Sequence, residues 1–307
     1  MREANMRQIR TDLAMESQQA AGSMPGVHVK QWAESGVTVT EVSIEDLKAS
    51  VRLGKPMGKY ITLECPQVRS HDVNARIAMS NLLAEELARL IPEGTGEIMV
   101  IGLGNRNVTP DALGPMAVDK TLVTRHIFRE LPDHVEEGMQ SVCAIAPGVL
   151  GVTGLETMET VTGLVERIHP RAIIVVDSLA ARASARVAST VQLSDSGIQP
   201  GSGVGNLRRA ITEESLGVPV IAVGVPMVVY AATIVRDALE EISSEYSSEE
   251  ALDSITDHVL EGSMGDMIVT PREVDSLVEE AAQIVAMGIN RALHAGLSDA
   301  QIREMMG

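Results

Sequence analysis

Four short, continuous apolar runs constrain the fold of this chain: Ile98 to Ile101, Val142 to Ala146, Ala172 to Val176 and Val218 to Gly224. Each is broken off by glycine, proline or aspartate. Segments with apolar residues at three- and four-residue steps lie among them: Val73 to Ile91, Ala112 to Arg129 and Glu156 to Ile168. Strands that are apolar on both sides and alternate with helices predict an α/β fold. Its sheet is mainly parallel and covered on both faces.

The rest of the chain is arranged around that sheet. Residues 1–35 are polar and irregular and read as a solvated arm. Gly36 to Ile44 and Lys59 to Glu64 alternate like strands and are expected to pair in a hairpin-like layer. Asp72 is placed to cap the helix that carries Ile77, Leu82, Leu83, Leu87 and Leu90 and stops at Pro92. Thr190 to Leu193 reads as a further strand. A polar segment spans about 243–263. After it, Thr270-Pro271-Arg272-Glu273 has the form of a capping box and opens a long helix over about 271–295.

Composition excludes several classes. The formal charge is −17, and Trp32, Tyr60, Phe128, Tyr230 and Tyr246 are the only aromatic residues. Nucleic-acid binding needs a basic field and stacking surfaces, so it is not expected. Cys65 and Cys143 have no zinc-type or disulfide-framework spacing, which fits a reducing compartment. The seven histidines form no HExxH or other helical ligand pair. The N-terminus lacks an apolar signal core. The uncharged stretch Leu216 to Val235 contains Gly217, Pro219, Gly224 and Pro226, too much punctuation for a spanning helix. Neither a metal, a cofactor nor a membrane partner is expected.

Two aspartates follow apolar strands. The first run spills into the loop GLGNRNVTPDALGP, which contains Asp111; the third is followed at once by Asp177. Sites in open α/β sheets lie beyond the carboxyl ends of strands. If the two strands are neighbours, both carboxylates face one crevice and can share acid and base roles. A structural reading stands beside each. Thr109-Pro110-Asp111 is also a helix start with Thr109 as cap, and Asp177 could cap a helix over 178–186. The glycine loops GLGN (102–105) and GSGVGN (201–206) lack the spacing of a dinucleotide fingerprint or a P-loop. Gly102, Gly104, Asn105, Gly201 and Gly203 are therefore candidates for close backbone approach to a peptide.

These motifs, with IRTDLAMES (9–17), APGVLGVTGLET (146–157), SDSGIQPGSGVGN (194–206) and IVTPREVD (268–275), resemble the germination proteases of spore-forming bacteria nearly end to end. The resemblance implies a three-layer α/β/α sandwich with a mostly parallel central sheet, related to hydrogenase maturation proteases. It implies an atypical aspartic endopeptidase with Asp111 and Asp177 as the essential pair, and small acid-soluble spore proteins as substrates in the spore core. It further implies a homotetramer made as a zymogen. Asp12-Leu13-Ala14-Met15-Glu16 is similar to the acidic-aliphatic-Ala-x-acidic pentapeptide cut in those substrates. Residues 1–12 would then be a propeptide arm, cut between Asp12 and Leu13, and 13–307 a single protease domain. The alternatives are a metal-assisted peptidase of the hydrogenase maturation type and a non-catalytic spore-protein binder.

Overall fold

The computed structural model describes residues 11–200, 209–235, 237–238 and 267–306. Gly201, Gly203 and the 243–263 segment lie outside the described residues. The strands are β1 (Val27–Glu34), β2 (Val37–Ile44), β3 (Gly58–Glu64), β4 (Ile98–Gly102), β5 (Val142–Ile145), β6 (Ala172–Ala181), β7 (Thr190–Ser194), β8 (Val220–Tyr230) and β9 (Ile268–Val269). They form one mixed sheet in the order β1-β2-β3-β7-β8-β6-β4-β5, with β9 against β8. The parallel strands β5, β4, β6 and β8 are gathered in one half. The other half is antiparallel, and its β1–β2 connection is a tight turn. Ser35 and Gly36, both at positive φ (51° and 80°), close that hairpin in the geometry that matches strand twist.

The helices are α1 (Ala14–Ala21), α2 (Leu47–Leu53), α3 (Val73–Leu90), α4 (Leu113–Asp119), α5 (Arg125–Glu130), α6 (Leu150–Thr153), α7 (Thr157–Ile168), α8 (Glu213–Leu216), α9 (Val274–Leu293) and α10 (Asp299–Met306). Alternation along β4 sends Ile98 and Val100 into a core shared with α3, α4 and α9, and Met99 and Ile101 into a second core under α7. The sheet thus separates two helical layers.

Asp72 caps α3 as expected, accepting from the N–H groups of Asn74 and Ala75. Ile77, expected in the α3 stripe, is exposed.

Several expectations need correction. The helix expected over 112–129 is two short ones. Asn290 on α9 breaks it by accepting from the Leu122 N–H and donating to the Lys120 carbonyl, and Thr124 is tied to Val142 of β5. The expected capping box at α9 is not made: Thr270 donates its hydroxyl to the Met227 carbonyl instead. The supposed arm contains α1 and β1, and Leu13, Ala14 and Met15 are buried in the core. β6 and β8 both run well past the aspartate and glycine that looked like their ends.

Candidate active site

β4 and β6 are parallel neighbours, with Gly102 opposite Val176. Beyond Gly102 the Leu103 N–H donates to the Val176 carbonyl at 2.8 Å, and the chain then loops into a 3-10 turn over Thr109–Asp111. Thr109 makes no side-chain cap there, so the helix-cap reading fails. The Asp111 carboxylate reaches back instead, accepting from the Asn105 N–H at 2.7 Å. The glycines allow this approach. Gly104 has φ +111°, and a Cβ on it would stand 2.0 Å from the Asp111 carbonyl oxygen. A Cβ on Gly102 would stand 2.1 Å from the Gly114 carbonyl oxygen. Gly104 and Asn105 therefore set the position of Asp111, while Gly102 admits α4 against the end of β4.

Asp177 does not cap a helix. It lies within β6, opposite Gly224 of β8, and its carboxylate accepts from the Ser178 N–H at 2.9 Å. It is 6 % exposed. Burial pushes its carboxyl well above the ordinary carboxylate range. The charge of Asp111 and then that of Asp12 push it further, and the Ser178 N–H opposes them. Asp111 and Asp177 are thus electrostatic neighbours, as the adjacency of β4 and β6 requires.

The third carboxylate comes from the expected cleavage site. Past Val176 it is Asp12 that meets β6: its N–H donates to the Ala180 carbonyl at 2.9 Å, and its carboxylate accepts from the Ala180 N–H at 2.8 Å. An extended segment is laid against a strand in this way when a peptide is added to a sheet, although here the carboxylate replaces one main-chain carbonyl. The bond from Asp12 to Leu13 is held on both sides by Gln192. The Gln192 Nε2 donates to the Asp12 carbonyl at 3.1 Å, and its Oε1 accepts from the Ala14 N–H at 2.7 Å. Gln192 of β7 and Asp177 of β6 stand opposite Gly224 from the two strands that flank β8, so they project from one face. Lys55 donates its ammonium to the Thr11 carbonyl at 2.9 Å. Burial lowers that ammonium, while Asp12 and Glu16 oppose the shift.

Downstream, Glu16 is 1 % exposed. Its carboxylate accepts from the N–H groups of Arg182 (2.6 Å) and Ala183 (2.9 Å) and from the Arg186 guanidinium (2.8 Å). The Thr11 hydroxyl also donates to it. The sequence reading missed Gln192, Lys55 and Arg186. The one signal for Gln192 was its place among the polar positions of the alternating run TVQL.

Among the described residues no cluster of His, Cys, Asp and Glu could hold a metal ion, and no helix is long and apolar enough to cross a membrane. The fold and the site together define an α/β protein with two carboxylates at adjacent parallel strands and a segment of its own chain laid beside them. The model of the germination protease family matches residues 3–254 and 244–305, and the chain belongs to that family of spore proteases. It is 40 % identical over 319 residues to the germination protease of Caldanaerobacter subterraneus subsp. tengcongensis, covering 97 % of this chain and 98 % of that one. The germination protease of Clostridium acetobutylicum is also 40 % identical, over 97 % of this chain and 99 % of its own. That of Bacillus mycoides is 37 % identical over 93 % and 94 %. Among solved structures, the [NiFe] hydrogenase maturation protease HycI of Thermococcus kodakarensis aligns with a TM-score of 0.32 at 14 % identity, over 66 % of this chain and 98 % of that chain.

Proposed function

We propose that Asp111 and Asp177 are the catalytic pair of an aspartic-type endopeptidase, and that the first bond it cuts is its own Asp12–Leu13 bond. Asp177, kept protonated by burial and by its acidic neighbours, is the acid. Asp111 is the base. It takes a proton from water as the water oxygen attacks the scissile carbonyl carbon, and Asp177 gives its proton to the leaving amine as the C–N bond breaks. The Gln192 Nε2–H donates to the scissile carbonyl, where negative charge develops in the transition state.

The observation that carries the reading is the docking of Thr11 to Glu16: Asp12 bonds to β6, three residues beyond Asp177, and Gln192 grips the bond to be cut. On this reading residues 1–12 are a propeptide and 13–307 one protease domain. Small acid-soluble spore proteins as substrates, a homotetramer and the spore core as its compartment follow from the family likeness and belong to the same proposal. Gly104 and Asn105 serve it by holding Asp111 and Gly102 by letting α4 pack at the end of β4, while Gly201 and Gly203 are assigned to the substrate on sequence grounds. The test is to incubate the full chain at mildly acidic pH and sequence the N-terminus. A new end at Leu13 in the parent, but in neither Asp111→Asn nor Asp177→Asn, is the expected result. A fully active enzyme that is never cut at Asp12 overturns the zymogen reading.

A further inference from the structure

We propose that Thr11 assists the cutting of its own chain: its hydroxyl holds the N–H of the nitrogen that leaves when the Asp12–Leu13 bond breaks. The inference rests on the reading of the site just given and deepens it. It adds a residue that touches a reacting atom, and that residue belongs to the segment being cut rather than to the sheet that cuts it.

The Leu13 nitrogen is the leaving group of that bond, and its N–H donates to the Thr11 Oγ1 at 3.1 Å. The one hydrogen of the Thr11 hydroxyl is committed elsewhere, to the Glu16 carboxylate. Toward the leaving nitrogen the hydroxyl is therefore an acceptor. Thr11 is fixed on both sides. Lys55 donates to its carbonyl at 2.9 Å. Glu16, which takes the hydroxyl hydrogen, is buried and is itself held by the N–H groups of Arg182 and Ala183 and by Arg186. This chain of bonds strengthens as the reaction proceeds. In the intact peptide the nitrogen shares its lone pair with the carbonyl. Once water has added to the carbonyl carbon that sharing ends, and the nitrogen takes the proton of Asp177. It then carries positive charge until the C–N electron pair returns to it and leaves a neutral amine. Thr11 neither gains nor loses a proton. An acceptor oxygen whose own hydrogen is turned to a buried carboxylate stabilises that positive charge more than it stabilises the planar amide. A hydroxyl that accepts from the N–H two residues on is common in plain turns. Here the N–H belongs to the bond that Gln192 grips on both sides, and a buried acid backs the hydroxyl. Thr11 departs with residues 1–12, so the assistance acts once, on this chain's own bond.

The experiment follows self-cleavage of the full chain at mildly acidic pH, by intact mass with time, for the parent, Thr11→Val and Thr11→Ser. Valine keeps the branched shape and removes the hydroxyl, while serine keeps the hydroxyl. Thr11→Val should be cut roughly tenfold to a hundredfold more slowly, as the loss of a hydrogen bond to a charged group implies. Thr11→Ser should recover most of the parental rate. Docking of the segment is read separately in Asp111→Asn chains, which on the present reading stay whole. The N–H groups of Ala180, Arg182 and Ala183 are bonded by the docked segment, and their hydrogen exchange should be as slow with Thr11→Val added as without it. Exchange that quickens when Thr11→Val is added overturns the proposal, because Thr11 then serves only to dock the segment. A Thr11→Val chain cut at the parental rate overturns it too, as does a Thr11→Ser chain cut as slowly as Thr11→Val. A parent that is never cut at Asp12–Leu13 refutes the self-cleavage reading and this proposal with it. A parent that is cut leaves that reading standing whatever the Thr11 variants do.

Discussion

Replacing Asp177 by asparagine removes a buried carboxyl whose titration is displaced in a known direction, so its effect on stability can be worked out with its sign. In the unfolded chain an aspartate titrates near pH 4. In the fold, burial, Asp111 and Asp12 raise that value well above the ordinary range. Between the two values the folded state holds a proton that the unfolded state has lost. Stability therefore falls as pH rises through that window. One proton sets the ceiling on the slope at about 1.4 kcal/mol per pH unit. Below about pH 4 both states are protonated and there is no difference. The amide that replaces the carboxyl in Asp177→Asn does not ionise, so the substitution removes the slope and stabilises the fold at neutral pH. The comparison is made between Asp111→Asn and the double variant Asp111→Asn/Asp177→Asn, since losing Asp111 silences self-cleavage and leaves burial, the leading cause, intact. Urea midpoints are measured on both from pH 4 to pH 8. The gap between them should be small at pH 4 and widen in favour of the double variant as pH rises. Parallel profiles would refute the claim that Asp177 is held protonated by its surroundings.

Other consequences are more quickly stated. Gln192→Ala removes the donor to the Asp12 carbonyl and should slow self-cleavage by about a hundredfold with the fold retained, followed by the appearance of the shortened chain on a gel. Gly104→Ala places a Cβ 2.0 Å from the Asp111 carbonyl at a positive φ; it should cost about 1–3 kcal/mol in urea unfolding and abolish cleavage by displacing Asp111. Asn290→Ala is the control: it leaves the Leu122 N–H and the Lys120 carbonyl without their side-chain partner and should cost a similar amount. Cleavage by that variant at a temperature where it is folded should match the parent. A chelator should leave the cleavage rate unchanged; loss of activity that added metal restores would favour the metal-assisted alternative.

The parallel half of the sheet was legible in the sequence because strands buried on both faces are written as unbroken apolar runs. That pattern put Asp111 and Asp177 at strand ends; the adjacency of β4 and β6, which the sequence left as a condition, is what brings them together. The ends of β6 and β8 were not legible. Asp177 and Gly224 look like terminators, yet both pair within the strands, since the sheet and the docked Asp12 supply partners that the local sequence does not reveal. Likewise the 112–129 stretch keeps a helical period, and it takes Asn290, far along the chain, to break it. Thr109 fits a cap by type, but the pull of the Asn105 N–H on Asp111 shapes the turn differently. The first thirty-five residues looked solvated because their few apolar positions, Leu13 to Met15 among them, are too short a run to read as core until something covers them. Gln192 and Arg186 act through segments remote in sequence, and neither residue type signals its partner.

The account stands or falls on whether the two aspartates cut the bond that lies docked beside them. Intact mass and N-terminal sequence should be followed with time at mildly acidic pH for the parent, Asp111→Asn and Asp177→Asn, each as the full chain. The expected result is a parent that shortens to a chain beginning at Leu13 while both variants, folded, keep their full mass. A chain cut at Asp12–Leu13 in either variant at the parental rate would contradict it.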